Sequence, residues 1–380
     1  MKVLNAMGGV SPNTMESTAM KINKYFSDID DYTIIFDDGS SEVSNTFNSY
    51  NIDHTFTGDS LQNKLSSILF ELNRASYDII HFYGFSTQNV LILGTLSKLL
   101  NIPIVTRFNG YNNSSTPWKD KISAKIERFY IENSIKSIFI SNSQKNDILN
   151  RYSFQEGDHH AVVPPGVPSN WFKSVDGDEI SALRSTLNID KSSKIIGSVL
   201  TPRPVKNVEG SIDIVKQLSE KYNITYIIVG DSNHLPKYIN YAKSLGINNN
   251  VRWVGHIDSK NLSKYYSLFD VCILTSRLEG FGQSVSESYL CQTPCVASDV
   301  GGLRDQIKHG ETGYLCDPNN QTKFANFVDE IFENESKKEK FGSKGKNHIQ
   351  DNYILDKTGD KYNNILFDVE KKSIRAYNLG

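Results

Sequence analysis

At 380 residues, with 38% hydrophobic and 22% charged side chains, the chain is long enough for two to three cores of about 150 residues each. Its formal net charge of −2 offers nucleic acid no global attraction. No apolar run approaches the roughly 20 residues of a membrane-spanning helix, and the stretch after Met1, Lys2-Val3-Leu4, is too short for a secretory signal, so a cytoplasmic protein is expected.

Strand-like apolar runs at 3–7, 32–36, 79–82, 104–107, 137–140 and 161–163 alternate with helix-like stretches near 14–27, 61–76, 87–100, 117–134 and 143–150. Such alternation predicts a parallel sheet with helices on both faces. The breaker cluster Pro164-Pro165-Gly166-Val167-Pro168 interrupts it, and the pattern then restarts with runs at 195–200, 224–229, 251–254, 271–274 and 295–297. Two Rossmann-like units are therefore expected, with ligands outside the carboxyl ends of the strands and in the cleft between lobes. From about 337 the chain is charged and helical, with a break near 352–356. The four cysteines (Cys272, Cys291, Cys295, Cys316) read as small buried hydrophobes, because Cys291 and Cys295 have metal-like spacing but no histidine pair beside them.

The densest chemistry lies between 271 and 318. An apolar run ends at Thr275-Ser276 and gives way to Glu279-Gly280-Phe281-Gly282, then to a helix-forming stretch carrying Glu287. A second apolar run feeds Asp299-Val300-Gly301-Gly302. Strand, glycine loop and helix in that order aim backbone N–H groups and a helix N-terminus at an anion. Upstream, Arg203-Pro204-Val205-Lys206 follows the first strand-like run of the second half. There a guanidinium fork and a compact ammonium would stabilise phosphate charge that grows in a transition state.

Glu279 and Glu287, with seven residues between them, resemble the Glu-x7-Glu motif of retaining glycosyltransferases of family 4, and the flanking glycines and Pro294 fall where that family has them. The resemblance is strong over 195–318 and weak over 1–150. It implies a GT-B fold: an acceptor-binding Rossmann-like lobe (1–168 plus 358–380) and a donor-binding one (169–357), with the C-terminal helix crossing back to the first. It implies that Arg203 and Lys206 hold the donor diphosphate, and that Glu287 accepts hydrogen bonds from the nucleotide ribose. Glu279, with the backbone of Phe281, Gly282 and Gln283, would contact the transferred sugar and phosphates. Gly8-Gly9 resembles the turn beneath the donor phosphates. Val229-Gly230-Asp231 and Trp253-Val254-Gly255 resemble segments that shape the nucleobase pocket, and Val163-Pro164-Pro165-Gly166-Val167 resembles the family's hinge.

The first half departs from the pattern. Asn109 stands where many members have a histidine near the donor sugar, and an asparagine can hydrogen-bond a hydroxyl but cannot titrate near neutrality. His81 matches the first histidine of a strand-end pair and Tyr83 replaces the second, which makes both acceptor-side candidates. Asp28-Ile29-Asp30 and Asp176-Gly177-Asp178 have metal-binding spacing but end no apolar strand, and no dinucleotide fingerprint or Walker loop is present, so neither metal nor cofactor is expected. The stretch 117–134 mixes bases and aromatics and is a candidate for weak peripheral contact with the inner face of a membrane. The expected activity is metal-independent transfer of a hexose from a nucleoside-diphosphate donor, UDP favoured over GDP. The acceptor would be a hydroxyl of a glycan, lipid-linked glycan, protein or small molecule. A nucleotide-sugar epimerase and a non-catalytic sugar-nucleotide-binding partner subunit are the alternatives.

Overall fold

The computed structural model describes residues 1–7, 15–26, 29, 31–36, 41–50, 52–56, 61–83, 87–110, 117–172 and 175–377. The chain divides into two compact units, Met1–Gly166 with Leu355–Gly380, and Val167–Ile354.

In the first unit the elements run β1 (Lys2–Met7), α1 (Met15–Tyr25), β2 (Asp31–Phe36), α2 (Ser41–Ser49), β3 (Asp53–Phe56), α3 (Leu61–Arg74) and β4 (Ile79–Tyr83). They continue with α4 (Thr87–Leu100), β5 (Ile104–Phe108), α5 (Pro117–Asn133), β6 (Lys136–Phe139), α6 (Asn142–Tyr152) and β7 (His160–Val162). All seven strands pair in parallel in the order β3-β2-β1-β4-β5-β6-β7. Because helices cover both faces, successive strand residues are buried on opposite sides. Val3, Ile79 and Val105 pack with Ile22 of α1 and with Phe26 just after it, whereas Leu4, Ile80 and Ile104 pack with Ile68, Leu93 and Tyr130 of α3, α4 and α5. Tyr130 is fully buried and Phe129 joins that cluster, so these two aromatics of the 117–134 stretch serve the core.

The second unit holds α7 (Gly177–Thr186), β8 (Lys194–Val199), α8 (Val208–Leu218), β9 (Ile224–Val229), α9 (Leu235–Ser244), β10 (Val251–Gly255) and α10 (Leu262–Leu268). After these come β11 (Val271–Leu274), α11 (Gln283–Leu290), β12 (Cys295–Ser298), α12 (Leu303–Gln306), β13 (Gly313–Cys316), α13 (Gln321–Glu333) and α14 (Glu335–Asn352). Its six parallel strands run β10-β9-β8-β11-β12-β13. Cys272, Cys295 and Cys316 are buried free thiols in these strands, and burial pushes the Cys291 thiol up to about 12. The final helix, α15 (Leu355–Tyr377), returns to the first unit, where Tyr362, Leu366 and Val369 complete the core beside α1.

Three elements escape the sequence pattern. In β3, Asp-His-Thr-Phe has no apolar run. Its order comes from polar tertiary bonds, with Asp53 accepting from Arg74 at 2.8 Å and Thr55 donating to Glu71 at 2.6 Å. The polar helix α2 and the four-residue strand β13 are too short and too mixed for a periodicity to register.

Candidate functional site

In each sheet the strand order reverses about the first strand, between β1 and β4 and between β8 and β11. In a doubly wound sheet the crevice at the carboxyl ends of such strands receives ligands. In the second unit those ends carry the two segments singled out in the sequence.

The loop after β8 contains a short 3-10 turn, Pro204–Lys206, and Asn207 then enters the left-handed region at φ 51°. Asn207 is buried and donates to the Pro318 carbonyl at 3.1 Å. Thr275, at the end of β11, donates to the Asn207 carbonyl at 2.9 Å, and the Arg277 N–H donates to the Val205 carbonyl at 2.8 Å. These bonds stitch the two loops together. Across them Lys206 Nζ lies 2.5 Å from Glu279 Oε2, which also accepts from Ser276 at 3.3 Å. Arg203 is exposed and has no ion-pair partner among the described residues. One cation is thus held by a carboxylate and the other is left to solvent.

The loop after Glu279 turns sharply. Gly282 has φ 86°, and a Cβ there would fall 2.4 Å from Leu303. A Cβ on Gly301, at φ 47°, would fall 1.7 Å from the Glu279 carbonyl oxygen. Gln306, fully buried on α12, fixes the turn from beneath: its amide donates to the Phe281 carbonyl at 2.5 Å and the Gly282 carbonyl at 3.2 Å, and its oxygen accepts from Ser286 at 2.5 Å. A trans peptide points its C=O and the following N–H in opposite directions. With both carbonyls turned inward to Gln306, the N–H groups of Gly282 and Gln283 turn outward at the opening of α11. The first-turn N–H groups there lack intrahelical acceptors and carry the positive end of the helix dipole. The side chain of Phe281 itself is buried against Tyr353, ring centroids 5.4 Å apart, so this residue offers only backbone.

Within α11, Gln283 and Glu287 lie four residues apart on one face and stay partly exposed, while Val285, Ser286 and Tyr289 are buried. Glu287 Oε2 accepts from the Tyr266 hydroxyl at 2.7 Å; burial first, and then this carboxylate, raises the Tyr266 pKa well above its usual value. Gly230 ends β9 at φ 129°, where a Cβ would fall 1.9 Å from the Leu200 carbonyl oxygen, and its N–H donates to the Gly255 carbonyl at 2.7 Å. The structure therefore gathers Arg203, Lys206, Glu279, Gln283 and Glu287 with three turn glycines at one end of one sheet. Gln306 was missed by sequence reasoning. Its position, 27 residues beyond Glu279 and after two intervening elements, gives no local signal.

In the first unit Gly8 and Gly9 lie outside the described residues, as do Asp28 and Asp30. Of the other Asp-x-Asp pair, Asp176 caps α7, accepting from the Asp178 N–H at 3.1 Å. His81 is fully buried on β4. Asn5 Oδ1 accepts from its Nδ1–H at 3.0 Å, and Nε2 accepts from the Tyr362 hydroxyl. Both ring nitrogens are therefore taken, and burial, then the nearby Arg107 charge, pushes its pKa down to about 3. This places His81 among packing residues rather than at a ligand surface. Tyr83 and Asn109 sit at the carboxyl ends of β4 and β5, partly exposed and exposed respectively, and Asn109 Oδ1 accepts from Arg107 Nε at 2.9 Å.

Two units of this topology define the GT-B class. The chain matches Anabaena HepE in complex with UDP at a TM-score of 0.83 and 18% identity, covering 97% of this chain and 100% of that one. It matches sucrose-phosphate synthase from Thermosynechococcus elongatus at a TM-score of 0.80 and 17% identity, covering 96% and 98%. Residues 179–348 match the family model of glycosyl transferases group 1. Among relatives in sequence, N-acetyl-alpha-D-glucosaminyl L-malate synthase of Bacillus anthracis is 23% identical over 303 residues, 78% of this chain and 76% of its own length. D-inositol 3-phosphate glycosyltransferase of Corynebacterium diphtheriae is 24% identical over 280 residues, 70% of this chain and 65% of its own.

Proposed function

We propose that this chain is a retaining glycosyltransferase of the family-4 type, moving a hexose from a UDP-sugar to an acceptor hydroxyl. The observation that carries the reading is the Lys206–Glu279 pair set beside the outward N–H groups of Gly282 and Gln283 at the switch point of the second sheet. A diphosphate seated there would meet Lys206, Arg203 and the α11 N-terminus. As the bond from the anomeric carbon to the diphosphate oxygen breaks, negative charge grows on that oxygen, and these groups stabilise it more in the transition state than in the ground state. The acceptor oxygen forms the new bond from the face the diphosphate leaves, and its proton passes to the departing phosphate. In this scheme no carboxylate acts as nucleophile, and the two cations do the work without a metal. Glu287 holds the ribose and Glu279 orients both Lys206 and the sugar, while the first unit supplies the acceptor side in the cytoplasm.

Uridine is favoured because solved neighbours were captured with UDP and UDP-glucose. The names of two relatives carry L-malate and D-inositol 3-phosphate, both hydroxylated anions. The test is to incubate the protein with UDP-glucose or UDP-N-acetylglucosamine and an acceptor panel, and to read the anomeric configuration of the product by NMR. The reading expects retained α configuration, and a fall of at least tenfold in turnover for Lys206→Ala, about 1.4 kcal/mol in transition-state stabilisation. Full turnover in that variant, or conversion of the donor to an epimer with no acceptor present, would contradict it.

A further inference from the structure

The first unit contains a charge that the reading above does not use. Arg107 is the penultimate residue of β5, in register with Tyr83 of β4, and β4 borders the switch point of the first sheet. Its side chain is fully buried. Nε donates to Asn109, but Nη1 and Nη2 have no hydrogen-bond partner, and no carboxylate pairs with the guanidinium among the described residues. Instead three tyrosines surround it: its central carbon lies 5.2 Å from the Tyr25 ring centroid, 5.5 Å from Tyr83 and 5.2 Å from Tyr362. The Tyr83 and Tyr362 hydroxyls lie close enough to act on the guanidinium as acceptors as well as electrostatically, but neither meets the geometry of a hydrogen bond to Nη1 or Nη2.

Ring faces offset part of the cost of burying a cation, but they accept none of the four remaining N–H groups of the fork. Buried polar groups are almost always paired, and a charged one left unpaired is expensive. The sequence next to this point supplies no acid, since residues 84–86 and 109–116 read Gly-Phe-Ser and Asn-Gly-Tyr-Asn-Asn-Ser-Ser-Thr. Among the described residues no anion completes the fork, and a carboxylate or phosphate from a ligand would do so. Two parallel N–H vectors from a planar fork match the oxygens of a carboxylate or phosphate. Of the three rings only Tyr83 is partly exposed, so it forms the solvent side of the cage.

We propose that Arg107 anchors an anionic group, carboxylate or phosphate, on the acceptor, with Tyr83 yielding as the anion enters and Asn109 holding the guanidinium plane. The proposal rests on the glycosyltransferase reading and assigns its acceptor class. The experiment presents wild-type protein and UDP-sugar with matched acceptors, L-malate and glycerol 3-phosphate against the uncharged glycerol and myo-inositol, and follows UDP release and product. At least a tenfold preference for one anionic acceptor in kcat/KM is expected, and the carboxylate and phosphate arms distinguish the two sources. In Arg107→Met, KM for that acceptor should rise at least thirtyfold, Arg107→Lys should recover part of the loss, and UDP binding should stay within twofold. The melting temperature of Arg107→Met should hold or rise, because an unpaired buried charge is removed; a purely structural arginine predicts a fall. As a check that needs no variant, malonate or inorganic phosphate should compete with the acceptor and not with the donor. Equal use of charged and neutral acceptors, turnover of no anionic compound while the donor is hydrolysed, or anion inhibition absent from wild type would overturn the proposal. Failure of UDP to bind at all would strike the donor-site reading instead, and is read separately by nucleotide titration.

Discussion

The two units share one topology and treat charge at their switch points in opposite ways. In the second unit Lys206 is balanced by Glu279, partly open to solvent, inside a loop whose backbone N–H groups are turned outward by Gln306. In the first unit Arg107 is sealed among tyrosine rings with two nitrogens unpaired. The first arrangement suits a ligand with several oxygens spread over a loop and a helix end. The second suits one compact anion. The order common to the first six strands of each sheet gives both units the same kind of crevice, while the loop chemistry decides what kind of ligand it suits.

The largest effect should come from Gly301→Ala. A methyl group 1.7 Å from the Glu279 carbonyl, at a positive φ, cannot be placed without moving the loop. A cost of about 3 kcal/mol and loss of nucleotide binding are expected, measured by urea unfolding and UDP titration. Next is Gln306→Leu, which takes the side-chain partner from the Phe281 carbonyl and the Ser286 hydroxyl and leaves the Gly282 carbonyl only the Val285 N–H. It should destabilise by about 1–3 kcal/mol and weaken UDP at least fivefold, with acceptor KM unchanged. Unaltered UDP affinity in this variant would break the link between the buried amide and the outward N–H groups.

A third prediction concerns pH. Burial pushes His81 down to about 3 and His160, also in the first unit, down to about 4, both below the 6.5 of an unfolded chain. Above pH 6.5 neither state binds the proton and no penalty arises. As pH falls below 6.5 the unfolded state takes up protons that the folded state refuses, so stability falls, by up to roughly 1.4 kcal/mol per pH unit for each histidine. The loss continues to about pH 4 for His160 and pH 3 for His81. Urea unfolding at pH 7 and pH 5 should show this drop, and His81→Gln should remove part of it. The smallest change is Asp176→Ala, which removes the α7 cap for about 1 kcal/mol and leaves UDP binding untouched.

The elements legible in the sequence were those whose burial is continuous. Runs such as Ile224–Val229 are buried along their whole length and declare a central parallel strand. The glycine loop was equally legible, because Glu279, Gly280 and Gly282 adjoin one another and the helix start. What was hidden depends on distant partners. The edge strand β3 is ordered by Glu71 and Arg74, and Gln306 reaches back to carbonyls in another loop. Arg107 stood two residues from Asn109 and read as an ordinary strand residue, since its character lies in what is missing around it.

The donor site at the second switch point is the central claim, and calorimetric titration of UDP, GDP and ADP into wild-type protein and Lys206→Ala tests it most directly. Binding of UDP in preference to the other two, weakened at least tenfold in the variant, is the predicted result. Equal affinity of wild type and variant for UDP, or binding of none of the three, would contradict it.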